Sequence, residues 1–120
     1  MERWINPHFS RWLTTLPTDA ASELGGGIDY LTEHGRGAVL PDVRHRIQIS
    51  QHFPNMSEVR AKHGNLVLRA LTCFVHDDQT LLICVGGDKA TWTQHKTSDW
   101  YDVFVPVADA VVDLYLQEHP

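Results

Sequence analysis

Two apolar runs in the second half of the chain place the tightest limit on its fold. They are "LVLRALTCFV" at residues 66–75 and "TLLICVGG" at residues 80–87, and only "HDDQ" separates them. Both runs favour strands, and both are apolar at odd and even positions alike. A strand of this kind is covered on both sides or lies at the centre of a sheet. The two runs therefore predict a central hairpin, and "MSEVRA" at residues 56–61 predicts the strand before it.

The first third of the chain has helical periodicity. After a short candidate strand at residues 2–6, the apolar residues of "PHFSRWLTTL" recur at i, i+3, i+4 and i+7, and Pro17 ends this helical face. A second helix is predicted from Thr18, with Gly35 just after its end. Residues 25–27 are three glycines, each of which costs a helix interior about 1 kcal/mol relative to alanine. These glycines weaken the prediction of the second helix.

The C-terminal run "VPVADAVVDLYLQE" predicts a last helix, with Pro106 in its first turn. Its predicted apolar face consists of Val107, Val111, Leu114 and Tyr115. Residues 35–55 show no clear period and are expected to connect the two halves, with Pro41 and Pro54 as breakers. The order of elements predicts an α+β fold in which two N-terminal helices pack on an antiparallel β-sheet with a C-terminal helix. We expect a single domain, residues 1–120, with one core of two layers.

Positive charge is concentrated in the middle of an acidic chain. The net charge is −5, yet residues 36–69 carry six Lys and Arg residues against two Asp and Glu residues, together with three histidines. Such a basic segment can bind a polyanion, but it can equally be a solvated face that balances acidic helices. Composition alone leaves these two alternatives open.

Hairpin geometry indicates where the basic side chains meet. If "HDDQ" and "KHGN" are both four-residue turns, Arg69 lies opposite Gly86 on one side and opposite Glu58 on the other. An ion pair with Glu58 would then explain Arg69 as a structural residue, and an anionic ligand would explain it as a functional one. Even if a turn is one residue longer or shorter, several basic residues are expected at one end of the sheet: Arg60, Lys62, His63, Arg69 and Lys89.

Other chemistries have weaker support. "GGDK" lacks the spacing of a nucleotide-triphosphate loop, and no set of His, Cys and acidic residues has zinc-ligand spacing, so we expect no metal and no cofactor. Cys73 and Cys84 lie in apolar strands and are expected to be reduced structural thiols. No apolar run reaches the roughly 18 residues of a membrane span, and the N-terminus lacks a secretion signal, so we expect a cytoplasmic protein.

The order of several weak motifs resembles a known family. "LTEHGRGAVLPDV", Glu58-Val59-Arg60, the strand arginine Arg69 and "VGGDK" leading to "WYDVFVPVAD" are similar to the RelE/HigB-like toxins of type II toxin–antitoxin systems, in particular the phage-derived HigB-like branch. The resemblance covers nearly the whole chain. It implies the small RelE-like fold and a ribosome-dependent mRNA endoribonuclease. It also implies neutralisation by a cognate antitoxin, expected to be a helix-turn-helix protein.

The resemblance also implies roles for individual residues. It assigns Arg69 and Lys89 to phosphate and transition-state charge, and Arg60 to RNA positioning or charge stabilisation. Candidate RNA-binding residues are Arg44, Arg46, Lys62, His63 and Trp92, whereas Trp100 is expected in the core. Met56 and Glu58 stand where other members have lysines, so the general acid and base are unassigned. The candidates for them are His63, His95 and Tyr101.

Two other functions remain open for the same fold. ParE-like relatives inhibit DNA gyrase by binding, and a chain without a recognised acid–base pair is compatible with such a role. A non-toxic interaction module is the other alternative.

Overall fold

The computed structural model describes residues 1–39, 44–95 and 98–120, so the predicted breaker Pro41 lies outside the described residues. The elements in chain order are β1 (Glu2–Ile5), α1 (Pro7–Thr14), α2 (Thr18–His34), a 3₁₀ turn (Gly35–Gly37), β2 (His45–Arg46), β3 (Met56–His63), β4 (Leu66–Val75), β5 (Thr80–Asp88), α3 (Lys89–His95) and α4 (Trp100–Glu118). The predicted α+β class is confirmed. None of the described helices is long and apolar enough to cross a membrane.

The five strands form one mixed sheet in the order β1-β5-β4-β3-β2. The pairs from β5 to β2 are antiparallel, as predicted, but β1 runs parallel to β5, with Glu2 opposite Thr80 and Ile5 opposite Ile83. The prediction of a purely antiparallel sheet is therefore wrong at this edge. Turn lengths specify only strands that are joined by a hairpin, and β1 reaches β5 through the rest of the chain.

Helices cover both faces of the sheet, so β4 and β5 are buried on both sides, as their composition predicts. Under α1 and α2 lies one apolar cluster that includes Leu24, Ile28 and Phe74. Under α4 lies a second cluster that includes Leu71 and Trp100. The expectation of one two-layer core is wrong, since the molecule has three layers. Trp100 is buried in the second cluster, as predicted.

The register differs from the predicted one in two places. The turn between β3 and β4 contains only Gly64 and Asn65, with Gly64 at φ +58°, so β3 continues through Lys62 and His63. This shift of two residues keeps every side chain on its predicted face. Between β4 and β5 an irregularity next to Leu71 moves the partner of Arg69 from Gly86 to Gly87.

The last helix begins at Trp100, five residues earlier than predicted. Asp99 accepts a hydrogen bond from the Tyr101 backbone N–H at 2.8 Å and so caps a helix that starts at Trp100. Pro106 consequently lies inside α4 rather than in its first turn. Half of the predicted apolar face is confirmed, because Val111 and Tyr115 pack against the second cluster. The other half is wrong, since Val107 and Leu114 are exposed and the fully buried positions are others, such as Val105.

Two glycines give a matched pair for testing close packing. A Cβ at Gly86 in β5 would lie 2.4 Å from the Trp12 ring and 2.7 Å from the Phe9 ring, whereas a Cβ at Gly26 in α2 would meet no atom within 4 Å. We expect Gly86→Ala to destabilise the protein by about 1–3 kcal/mol, since two packed rings must move. We expect Gly26→Ala to stabilise it by about 1 kcal/mol. Thermal unfolding measures both, and a Gly86→Ala variant that melts at or above the wild-type temperature would contradict the packing of α1 on β5.

Candidate active site

A row of residues across three strands forms the floor of the site, on the sheet face that α4 covers. Arg60 in β3 lies directly opposite Arg69 in β4, and Arg69 lies opposite Gly87 in β5. Two like charges at directly opposed positions destabilise a sheet unless a counter-charge offsets them. The convergence of these residues at one end of the sheet agrees with the prediction from the hairpins.

Glu58 supplies the counter-charge within the protein. Its side chain is only 1% exposed, and its Oε1 accepts a hydrogen bond from Arg60 Nε at 2.7 Å. The other oxygen, Oε2, lies 3.9 Å from Arg69 Nε and accepts no hydrogen bond from the described residues. The predicted ion pair between Glu58 and Arg69 is thus longer than the ion pair between Glu58 and Arg60. One carboxylate faces two guanidinium groups.

Tyr101 joins the two charged groups from the first turn of α4. Its hydroxyl donates to Glu58 Oε1 at 3.1 Å and accepts from Arg69 Nε at 3.1 Å. Burial raises the pKa of the Tyr101 phenol above its usual value of 10; the Arg69 hydrogen bond opposes this shift and the Glu58 carboxylate reinforces it. The phenol therefore stays protonated at neutral pH and holds a proton between a carboxylate and a guanidinium.

Lys89 completes the group as the first residue of α3. Asp88 positions this helix, because its carboxylate accepts from the Ala90 N–H at 3.1 Å and from the Val67 N–H at 2.9 Å. The Lys89 Nζ lies 5.1 Å from the centre of the Tyr101 ring. The "GGDK" stretch is therefore the end of a strand followed by a helix.

Two adjoining cavities open on this floor and share Arg60. One measures about 400 Å³ and is lined by His45, Arg46, Ile47, Gln48, Ile49, Glu58, Arg60, Lys89 and Tyr101. The other measures about 280 Å³ and is lined by Arg60, Ala61, Lys62, Val67 and Arg69. Among the described residues, five Lys and Arg side chains and one carboxylate, that of Glu58, line the two cavities, in a chain whose net charge is −5. The site is suited to an anion.

The structure separates the other predicted site residues from this group. His63 belongs to the opposite face of β3, where it pairs with Glu23 of α2 at 3.6 Å. Arg44 lies over the Phe74 ring and donates to the Arg36 carbonyl. On α3, the Trp92 indole N–H donates to the Ser98 carbonyl.

His95 is exposed and lines a separate apolar cavity of about 430 Å³ beside Trp12. Of the three acid–base candidates, only Tyr101 contacts the cationic group. Among the described residues no group of three His, Cys, Asp or Glu side chains is placed to hold a metal ion.

Two features of the site were absent from the sequence prediction. The first is the contact of Glu58 with Arg60, which their spacing of two along one strand would have indicated, since such residues share a face. The second is the wall formed by Ile47, Gln48 and Ile49. No sequence signal indicates this wall, because residues 47–49 belong to no regular element.

Comparison with known proteins gives two results. The model of the family "Phage derived protein Gp49-like" matches residues 11–110. The fold is similar to that of a mutant of the Escherichia coli toxin RelE in its free state, with a TM-score of 0.54 and 8% sequence identity over 72% of this chain and 81% of that one. No curated protein sequence matches the chain. The structural likeness, at this identity, concerns the fold.

The family match extends from α1 to the middle of α4 and so includes every side chain of the site described above. The chain therefore belongs to the Phage derived protein Gp49-like family, a RelE/HigB-like toxin family.

Proposed function

We propose that this protein is the toxin of a type II toxin–antitoxin system and that it cleaves mRNA as an endoribonuclease. The family and the RelE-like fold support a toxin. The observation that carries the nuclease proposal is the opposition of Arg60 and Arg69 across β3 and β4, with Glu58 as their shared counter-charge. A phosphodiester bound beside the two arginines would place its negative charge next to two guanidinium groups that face the one carboxylate of Glu58.

The proposed cleavage is a transesterification within the RNA. The 2′-oxygen loses its proton and forms a bond to phosphorus while the bond from phosphorus to the 5′-oxygen breaks, and the departing 5′-oxygen takes a proton from water, which yields a 2′,3′-cyclic phosphate and a 5′-hydroxyl. Arg60, Arg69 and Lys89 stabilise the charge that develops on the phosphoryl oxygens. Their cationic heads line the two cavities, where a backbone phosphate can reach them.

We assign to Tyr101 and Glu58 the removal of the proton from the attacking 2′-hydroxyl. The Tyr101 hydroxyl already donates to Glu58 Oε1. It can take the 2′-proton onto its oxygen while it passes its own proton to the carboxylate, so that Glu58 is the final acceptor. We assign Tyr101 and Glu58, rather than a histidine, as the general base, because neither His63 nor His95 lines the cationic cavities.

The proposal includes a substrate, which the reaction implies, and an inhibitor, which the toxin family implies. The substrate is mRNA, most directly mRNA held on the ribosome, and the natural inhibitor is a cognate antitoxin of the helix-turn-helix type. With the chain's overall charge at −5, RNA contact depends on the cationic cavities rather than on the surface as a whole.

Induced expression in a bacterial host tests the proposal. We expect growth arrest, with mRNA cut inside translated codons within minutes of induction, when the 5′ ends of transcripts are mapped genome-wide. Growth arrest with intact mRNA and DNA damage would instead indicate inhibition of gyrase. Unaffected growth at the same protein level would indicate a module without toxicity, and either result would refute the nuclease proposal.

The hydroxyl of Tyr101 should be needed for catalysis more than for folding. We expect Tyr101→Phe to lower the cleavage rate about 100-fold, since it removes the proton path to Glu58 while it keeps the ring beside Lys89. Tyr115→Phe removes a hydroxyl from the same helix outside both cavities and should cleave at the wild-type rate. Rates on a translated reporter mRNA measure the difference, and equal rates for the two variants would exclude Tyr101 from the proton path.

A further inference from the structure

The segment between β2 and β3 exposes two large apolar side chains beside the cationic site. Ile49 is 60% exposed and Phe53 is 44% exposed. Scattered exposed apolar residues are ordinary in soluble proteins. These two, however, lie on one short segment that also forms a wall of the larger cationic cavity, so they invite a functional explanation.

This segment is held rigidly. Asp109 of α4, itself buried, accepts hydrogen bonds from the Ser50 hydroxyl at 2.5 Å and from the Gln51 backbone N–H at 3.0 Å. His52 pairs with Asp113 at 2.8 Å, one turn further along α4. The residues between Ile49 and Phe53 are therefore anchored to α4, so both exposed side chains project from a fixed backbone.

The apolar surface is continuous with the cationic cavity. Ile49 lines that cavity together with Arg46, Glu58, Arg60 and Lys89. Arg46 connects the cavity to Phe53, because its guanidinium carbon lies 6.0 Å from the centre of the Phe53 ring. Gln48, an exposed amide on the same wall, adds hydrogen-bond donors and an acceptor.

We propose that Arg46, Ile49 and Phe53 form a base-stacking surface that holds one nucleobase of the RNA next to the scissile phosphate. An unstacked RNA base packs on aromatic rings and guanidinium planes, and its attached phosphate needs cations within reach. Here the apolar surface adjoins the cationic cavity. The inference rests on the proposed nuclease function and extends it, since it assigns the recognition of bases to a surface outside the catalytic group.

Cleavage of a translated reporter mRNA by the full chain tests the inference, with total rate and the identity of bases at the cut as separate readouts. We expect Phe53→Ala to lower kcat/KM about 10-fold, as the loss of one stacked base would, and to weaken the preference for particular bases beside the cut. Phe53→Trp should retain both, because it keeps an aromatic surface. Ile49→Ala should weaken the preference in the same direction, and circular dichroism checks that each variant is folded.

The outcomes separate this inference from the function on which it rests. A folded Phe53→Ala variant with the wild-type rate and cleavage pattern would overturn the stacking surface and leave the nuclease standing. Loss of antitoxin binding in that variant, with cleavage unchanged, would also overturn it, in favour of a protein-binding surface. If the wild-type chain itself cuts no RNA, the proposed function fails and the inference fails with it.

Discussion

A chain that carries both Arg69→Ala and Lys89→Ala should have lost its toxicity while it keeps its fold. Arg69 and Lys89 reach the site from β4 and from α3, and each supplies positive charge to a cavity in which a phosphodiester would develop negative charge. Loss of a single charge-stabilising donor costs enzymes about 100- to 1,000-fold in rate, so the double variant should cleave at least about 1,000-fold more slowly.

The fold of the double variant should survive for a structural reason. Glu58 keeps its hydrogen bonds from Arg60 and from Tyr101, and the removal of Arg69 relieves the opposition between two cations. Arg3→Ala combined with Arg11→Ala is the matched control, since it removes the same charge from exposed positions outside both cavities. The measurements are growth after induction and cleavage of a translated reporter mRNA. A double variant as toxic as the wild type would remove Arg69 and Lys89 from the mechanism.

Glu58→Gln should reduce both stability and activity. The substitution keeps the shape of the side chain but removes the negative charge that Arg60 and Arg69 share. We expect a loss of about 2 kcal/mol, less than the ~3–5 kcal/mol of a fully buried pair, because Arg60 is 39% exposed and solvent screens its charge. Cleavage should fall as well, since the proton acceptor is gone.

Added phosphate should distinguish this explanation from a simple packing defect. An anion that binds between the two arginines stabilises the folded state by an amount that grows with the ratio of its concentration to its Kd, so phosphate should raise the melting temperature of Glu58→Gln more than that of the wild type. Glu23→Gln is the control, because it makes the same change at an exposed carboxylate outside the two cavities. A Glu58→Gln variant that melts with the wild type and ignores phosphate would contradict the charge balance described here.

The sequence was most informative where one local pattern determined the structure. Apolar residues on both alternating faces of β4 and β5 require cover on both sides of the sheet, and the stripe of Leu24, Ile28 and Leu31 in α2 is buried despite the three glycines. The helix continues through the glycines because burial of three large side chains outweighs the free-energy cost of the glycines.

The sequence was misleading where a competing local signal or a distant contact decided. Pro106 is a good first-turn residue, but the Asp99 cap starts α4 earlier. The β5 partner of Arg69 depended on an irregular step beside Leu71, which no residue pattern indicates. The cationic group was predictable as a set of cations at one end of the sheet. The position of Tyr101 between Glu58 and Arg69 was not, because it depends on where α4 begins.

The proposed nuclease is tested most directly by asking whether the RNA's own 2′-hydroxyl attacks the phosphorus. A reporter mRNA carries a single 2′-deoxynucleotide at its mapped cleavage position and is translated in the presence of the purified chain. This replacement removes the 2′-hydroxyl at that position alone. The mechanism predicts no cut at the deoxynucleotide, and a 2′,3′-cyclic phosphate with a 5′-hydroxyl at the same position of the unmodified mRNA. Equal cleavage of the two mRNAs, or a 3′-hydroxyl with a 5′-phosphate at the cut, would contradict it.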